Sequence, residues 1–169
     1  MQTAAIAEKP RKQAISGHFW ADCTYRGRIK DDHKIDPAAG SGNFLTESYL
    51  SLRRLENEVI SELYRGQISM DAVTDPIQVS IAQFHGIEIN DFAVTVAKTA
   101  LWIAESQMMK ETEKILLLDL DFLPLKTNAN IVEGNALRLD WESVVDKTKL
   151  NYIMGNPPFV GGMYMSTEQ

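Results

Sequence analysis

The sequence predicts an α/β fold in which a mostly parallel β-sheet is covered by helices on both faces. Short apolar runs alternate along the chain with longer amphipathic segments, which is the pattern of strands joined by helices. Such crossover connections leave consecutive strands parallel to each other. The 169 residues, 44% of them hydrophobic, are enough for one domain with a buried core.

The first elements lie between residues 33 and 64. Residues 1–33 show no sustained periodicity, and we interpret them as a loosely structured lead-in with at most one short strand or turn. A strand at 33–35 then meets a small-residue loop, and a helix is predicted at about 43–64. Its apolar stripe comprises Leu45, Tyr49, Leu52, Leu55 or Glu56, Val59 and Leu63. Arg53, Arg54, Glu56 and Glu58 should lie mostly off this stripe.

Three strands and one helix follow. Residues 66–79 contain Gly66, Asp71, Asp75 and Pro76, and this composition predicts a connecting insertion. A second buried strand is predicted at 80–88, and a second helix from 91 to about 109 with Asn90 as its N-cap. The remaining strands are predicted at 129–134 and 151–155.

Composition and charge exclude several functions. With 17 Lys and Arg against 23 Asp and Glu, the net charge is −6, the opposite of what an autonomous nucleic-acid-binding module carries. The longest mainly apolar stretch, 92–104, is shorter than the roughly 20 residues that span a bilayer. We therefore expect no membrane span and, without a signal peptide, a cytoplasmic protein. The three His residues and the single Cys are scattered, so we expect no metal site.

Ligands of open α/β sheets bind outside the carboxyl ends of the strands, so these ends are where chemistry is expected. The loop after the first strand contains Gly40 and Gly42, which permit positive φ and a close approach of the backbone to a ligand. With the free amides of the following helix, this loop can cradle a nucleotide or a carboxylate. It lacks the Lys-Ser/Thr pair of a Walker loop, and a plain tight turn is the alternative.

The other three strand ends also carry polar or rigid residues. Glu88 ends the second strand and can bind ribose hydroxyls, or it is a helix-start carboxylate favoured by the helix dipole. After the third strand, Asn135 can hydrogen-bond an adenine ring, and Ala136 leaves room beside it. The fourth end is Asn156-Pro157-Pro158-Phe159, where two prolines fix φ and present Asn156 together with an aromatic ring. A purely structural stop after the strand is the alternative.

These four segments, in this order, resemble the motifs of the S-adenosylmethionine-dependent amino-methyltransferases of DNA. They read D-P-A-A-G-S-G-N-F-L at 36–45, G-I-E-I at 86–89, G-N-A-L at 134–137 and Y-I-M-G-N-P-P-F-V-G at 152–161. The chain is most similar to the methyltransferase portion of large type II restriction-modification proteins, which methylate adenine at its exocyclic amine. The chain departs from the family pattern in three ways. Ala39 stands where many relatives have Cys, and Phe19-Trp20 is a poor candidate for the aromatic motif expected upstream of the Gly-rich loop. The chain also stops ten residues after Phe159, before the later strands and the target-recognition domain of the family.

The resemblance implies a Rossmann-like class I methyltransferase fold, of which residues 34–169 would form a partial catalytic domain with the first four strands. It implies binding of S-adenosylmethionine by Asp36, Ala38, Gly40, Ser41, Gly42, Phe44, Glu88, Ile89, Asn135 and Ala136. The implied catalytic residues are Asn156, Pro157, Pro158 and Phe159. Asn156 and the Pro157 carbonyl would accept the N–H bonds of adenine, and Phe159 would stack on the flipped base.

Three expectations follow for the whole chain. The implied partner is double-stranded DNA, contacted through other regions of a larger parent protein. We expect the chain alone to be a fragment that tends to self-associate and transfers no methyl groups to DNA. The alternatives are a methyltransferase for a protein glutamine amide or RNA, which can use the same turn, and a catalytically silent cofactor-binding fragment.

Overall fold

The computed structural model describes residues 29–63, 76–117 and 128–158. Within them lie four strands: β1 (His33–Asp36), β2 (Phe84–Glu88), β3 (Asn130–Glu133) and β4 (Leu150–Ile153). All strand pairs are parallel, in the order β3-β2-β1-β4, which confirms the predicted class. Residues 1–28 of the predicted lead-in, the predicted insertion as far as residue 75, and Phe159 lie outside the described residues.

Two long helices pack on one face of this sheet. α1 (Asn43–Leu63) joins β1 to β2, and α2 (Asp91–Leu116) joins β2 to β3. Because both connections step across the sheet in the same direction, right-handed crossovers place both helices on the same face. The buried side chains of this face include Leu45, Tyr49, Phe84, Ala97, Leu101 and Ile131.

The chain reverses its direction across the sheet after β3, because β4 pairs with the opposite side of β1. In a doubly wound sheet such a reversal opens a crevice at the carboxyl ends of the two strands concerned. The topology therefore places a candidate ligand site between the ends of β1 and β4.

The second face of the sheet is covered by the connection from β3 to β4. Ile35, Ile87 and Val145 are buried there, with half-buried side chains from residues 132–150 packed around them. Within the described residues this cover consists of turns and the short 3₁₀ helix Trp141–Ser143, whose Trp141 Nε1 donates to the Ala136 carbonyl (2.8 Å). It is not an α-helix.

Arg53 is the clearest difference from the predicted pattern of α1. It is predicted to lie mostly off the apolar stripe, but its side chain is 0% exposed. It lies one turn after Tyr49 on the buried face, forms an ion pair with Glu56 and donates through Nη2 to Thr112 Oγ1 (2.7 Å). The prediction is wrong because partners for Nη1 and Nη2 offset the cost of burying the charge. Leu55, expected on the stripe, is exposed.

The start of β2 and the end of α2 also differ from the predictions. β2 begins at Phe84 and not at residue 80, because Ser80 and Gln83 form a capping box around the 3₁₀ helix Ile81–Gln83. α2 has the predicted N-cap Asn90, whose side chain accepts from Ala93 N (3.2 Å). It extends seven residues beyond the predicted end, because Met108, Thr112 and Leu116 continue its buried face.

Two of the histidines that are scattered in the sequence meet at the amino ends of β1 and β2. His33 Nδ1 and His85 Nε2 lie 2.8 Å apart, so one ring donates and the other accepts. Burial, and then the charge of His33, lower the pKa of His85 to about 4. Neither of the two long helices, within the part of the chain described, has the length and apolarity to cross a membrane.

Candidate active site

The loop between β1 and α1 is anchored to the end of β2. Ala39 N donates to the carbonyl oxygen of Ile87 (3.0 Å), and Gly42 N donates to that of Ala39 (2.8 Å). Gly40 and Gly42 have φ values of +54° and +80°, which favour glycine. The loop therefore curls over the carboxyl end of the sheet, as the sequence predicts for a ligand cradle.

Glu88 contacts this loop directly. Its Oε2 accepts from Gly40 N (2.8 Å), and its Oε1 accepts from Asn90 N at the start of α2 (3.0 Å). Each carboxylate oxygen has a second lone pair, so the group can accept hydroxyl donors in addition to these amides. Two predicted cofactor residues that are 48 positions apart are thus brought together.

The third strand end joins the same edge through the backbone. Gly134 N donates to the carbonyl oxygen of Glu88 (2.9 Å), which places Asn135 next to the β2 terminus. The side-chain oxygen of Asn135 accepts from Leu137 N (3.0 Å) within its own turn. Ala136 is half-buried against the second face of the sheet, and the structure does not place it with Gly40 and Glu88.

Three more predicted residues border the loop. Ser41 is exposed and donates through Oγ to Asn43 Oδ1 (3.2 Å). Phe44 and Ile89, which follow the loop and Glu88 respectively, are 50% and 69% exposed. Large apolar side chains left exposed beside polar groups are typical of a binding site.

Asp36 lies beneath the loop at the end of β1 and is only 1% exposed. Its Oδ1 accepts from Ala38 N (3.0 Å). Burial raises the pKa of Asp36 and the nearby charge of Glu88 raises it further, while the Ala38 hydrogen bond opposes this shift. The carboxyl group is thus enclosed by the backbone of the loop that it supports.

The fourth strand end leaves the sheet directly beside Asp36. Met154 N donates to the carbonyl oxygen of Ile35 (2.9 Å), and the chain then passes through Gly155 at φ +155°. Asn156, Pro157 and Pro158 follow and are exposed at the carboxyl edge of the sheet. Gly155 is not among the predicted site residues, although its position directly before Asn-Pro-Pro is a usable signal.

A cavity of about 980 Å³ lies between α1 and β4. Among the described residues that line it are Phe44, Ser48, Leu52, Tyr152 and Met154. Of the predicted site residues within 29–63, 76–117 and 128–158, only Phe44 belongs to this lining. Gly40 and Glu88 are not among its lining residues, so their contact lies outside this cavity, at the carboxyl end of the sheet.

The two glycines of the loop should respond differently to the same substitution. A Cβ on Gly40 would meet nothing within 4 Å, whereas one on Gly42 would lie 2.8 Å from Ala97 Cβ and 3.1 Å from Ala97 Cα. We expect Gly40→Ala to cost about 1–2 kcal/mol, which is the penalty for the left-handed conformation. Gly42→Ala should cost about 1–3 kcal/mol more, because it also overpacks the core. Urea denaturation measures both, and equal losses would contradict this assignment.

Residues 21–169 match the family described as MmeI, DNA-methyltransferase domain. The chain is 40% identical over 145 residues to DNA methyltransferase A of Bacillus subtilis (strain 168), an alignment that covers 84% of this chain and 16% of that protein. It is 26% identical over 128 residues to a putative type II restriction enzyme and methyltransferase of Methanocaldococcus jannaschii, covering 72% of this chain and 10% of the relative.

A solved structure is also similar. It is that of the type IIL restriction-modification enzyme MmeI in complex with DNA, with a TM-score of 0.77 and 36% sequence identity. The match covers 86% of this chain and 19% of the MmeI chain. The chain therefore spans about a sixth or less of the curated relatives and about a fifth of the structural neighbour.

Proposed function

Because the chain belongs to the family of the MmeI DNA-methyltransferase domain, we propose that it transfers a methyl group from S-adenosylmethionine to the exocyclic amine of adenine in DNA. The observation that carries this proposal is that the Gly40–Glu88 contact and the exposed segment Asn156-Pro157-Pro158, here called the Asn156 turn, lie at the same carboxyl edge of the sheet. A donor site and an acceptor site for the methyl group thus lie at adjacent strand ends.

The residues around Gly40 fit the methyl donor. The space beside the Gly40 Cα is open, so a ligand can approach the backbone closely. The Glu88 carboxylate, held by two backbone amides, offers its remaining lone pairs to the ribose hydroxyls. We therefore propose that Gly40 and Glu88 hold the nucleoside part of S-adenosylmethionine, with Phe44, Ile89 and Asn135 around them.

The Asn156 turn would act on the acceptor. When bound, S-adenosylmethionine supplies a methyl group on a positively charged sulfur. The adenine amine is a poor nucleophile, since its lone pair is delocalised into the ring. Acceptance of its two N–H bonds by the Asn156 side-chain oxygen and the Pro157 carbonyl favours a pyramidal nitrogen with a localised lone pair. Pro157 and Pro158 hold this geometry in advance, so the contribution is one of orientation and electrostatics.

DNA is the proposed partner, and in this mechanism the target adenine is flipped out of the duplex. The adenine amine is inaccessible inside a duplex, so the base must leave the stack at a cost of a few kcal/mol. Stacking on Phe159 would offset part of this cost, by about 1–3 kcal/mol. The net charge of −6 indicates that most phosphate contacts lie outside this chain. A restriction-modification role also places the protein in the cytoplasm.

Donor binding is tested by titration calorimetry with S-adenosylmethionine. We expect Gly40→Trp to abolish binding, because the indole fills the open space beside the loop. Glu88→Ala should weaken binding by about 1.5–3 kcal/mol, the value of hydrogen bonds to a charged group. Glu142→Ala is the matched control, since it removes the same charge from an exposed position in the connection that covers the second face of the sheet.

The donor assignment would be wrong if both site variants bound the donor as the wild type does. Loss of binding in Glu142→Ala as well would point to a general effect of charge. Circular dichroism of each variant shows whether the fold is retained.

Adenine specificity is tested with tritium-labelled donor in the longest natural polypeptide that contains this chain. We expect label in N6-methyladenine after digestion of the DNA. Duplexes in which hypoxanthine replaces adenine lack the exocyclic amine and should accept no label. Label in cytosine would contradict the adenine assignment, and donor binding without any transfer would favour a silent cofactor-binding role.

A further inference from the structure

The Asn156 turn and the Gly-rich loop meet at a single side chain, the carboxyl group of Asp36. If Gly155 had a Cβ, this atom would overlap Asp36 Oδ1, lie 3.0 Å from Asp36 Cγ and 3.4 Å from Asp36 Oδ2. All three nearest atoms belong to one carboxyl group. The backbone directly before Asn156 therefore rests on Asp36.

The same oxygen also supports the loop on the other side. Asp36 Oδ1 accepts from Ala38 N (3.0 Å), two residues before Gly40, whose own amide is held by Glu88. Beside it, Met154 N pairs with the Ile35 carbonyl (2.9 Å), so β4 is aligned with β1 up to the residue before Gly155. Asp36 therefore contacts both Gly155, directly before Asn156, and the loop at Ala38, and Glu88 holds the same loop at Gly40.

We infer that Asp36 is a positioning residue that holds the methyl-donor loop and the Asn156 turn in a fixed relative position, and that this contact, in addition to the φ of +155°, requires glycine at position 155. The inference rests on the proposed function. The resemblance implies that Asp36 binds the cofactor. Because its carboxyl group is buried under Ala38 and Gly155, we infer instead that Asp36 supports the loop and does not contact the cofactor directly. A shift of either partner changes the distance between donor and acceptor, on which transfer depends steeply.

Gly155→Ala is the first test, in the longest natural polypeptide that contains this chain. The added methyl group pushes Asp36 and the turn apart, so turnover at saturating donor should fall by on the order of 100-fold. In an Asp36→Ala background the obstacle is gone. There the same Gly155→Ala change should cost only about tenfold or less, because the contact is already lost and only the backbone strain at φ +155° remains.

The Asp36 variants separate a positioning role from a role of charge. Asn has the shape of Asp and keeps an oxygen that can accept from Ala38 N, so Asp36→Asn should retain donor affinity and turnover within about threefold. Asp36→Ala should lower both by about tenfold or more, because the loop and the turn lose the same support. Glu142→Ala, at an exposed position outside the site, should leave both donor affinity and turnover unchanged.

Three results would overturn the inference. They are an Asp36→Asn variant as impaired as Asp36→Ala, an Asp36→Ala variant that loses donor affinity alone, and additive losses in the Gly155→Ala and Asp36→Ala pair. If Asp36→Ala does not fold, Asp36→Asn and Gly155→Ala still decide between the two roles. Absence of transfer from the wild type would overturn the proposed function together with the inference, whereas an active wild type with additive losses would overturn the inference alone.

Discussion

Replacing Asn156 by Ala should lower methyl transfer at saturating donor by about 10²–10³-fold, the usual loss when one hydrogen-bonding group acting in the transition state is removed. Donor affinity should stay within about twofold, since this side chain would act on the acceptor amine and not on the donor. The residue is exposed at the end of the sheet, so its truncation leaves no cavity in the core. Single-turnover transfer of tritiated methyl groups to adenine measures the effect.

Asn156→Asp is the matched variant for this experiment. It retains an oxygen that accepts an N–H bond at the same position, and it should recover a large part of the activity that Asn156→Ala loses. Wild-type turnover in Asn156→Ala would show that the amine is not activated at this turn. A parallel loss of donor affinity would place Asn156 in the donor site instead.

Replacing Arg53 by Met should lower the free energy of unfolding by about 3–5 kcal/mol, the cost of removing one partner from a buried ion pair. Arg53 is fully buried between α1 and α2, and Glu56 is nearly so. Without the guanidinium, the Glu56 carboxylate loses its counter-charge, and Thr112 Oγ1 loses the donor that lies 2.7 Å away. Urea denaturation followed by circular dichroism measures the change.

The adjacent arginine provides the control for this substitution. Arg54 is more than half exposed, and its Nη1 lies 3.5 Å from Glu47 Oε1, so Arg54→Met should change stability by about 0–1 kcal/mol. Adding Glu56→Gln to Arg53→Met removes the unpaired charge and should restore part of the loss, since Gln keeps an acceptor for Gln78 N. Equal effects of the two arginine substitutions would contradict the role assigned to Arg53.

Local sequence signals predicted most of the secondary structure. The start of α1 at Asn43, the N-cap at Asn90 and the positions of all four strands follow from apolar periodicity and from Gly, Pro and Asn at the turns. The edge that carries the candidate site was also predictable, because parallel strands bring their carboxyl ends together. The contact of Gly40 with Glu88 is a consequence of that rule.

The sequence by itself therefore determined the α/β class, the parallel sheet and the strand ends at which chemistry is expected. Only the tertiary structure decided that Arg53 is buried, that His33 meets His85, that α2 continues to Leu116 and that Gly155 rests on Asp36. Each of these outcomes depends on a partner far away in the chain. Charge alone predicts an exposed Arg53, and its burial is tolerated because Glu56 and Thr112 on α2 bind Nη1 and Nη2 of the guanidinium. Periodicity describes one segment at a time, whereas burial depends on which groups the packed segments bring within hydrogen-bond distance.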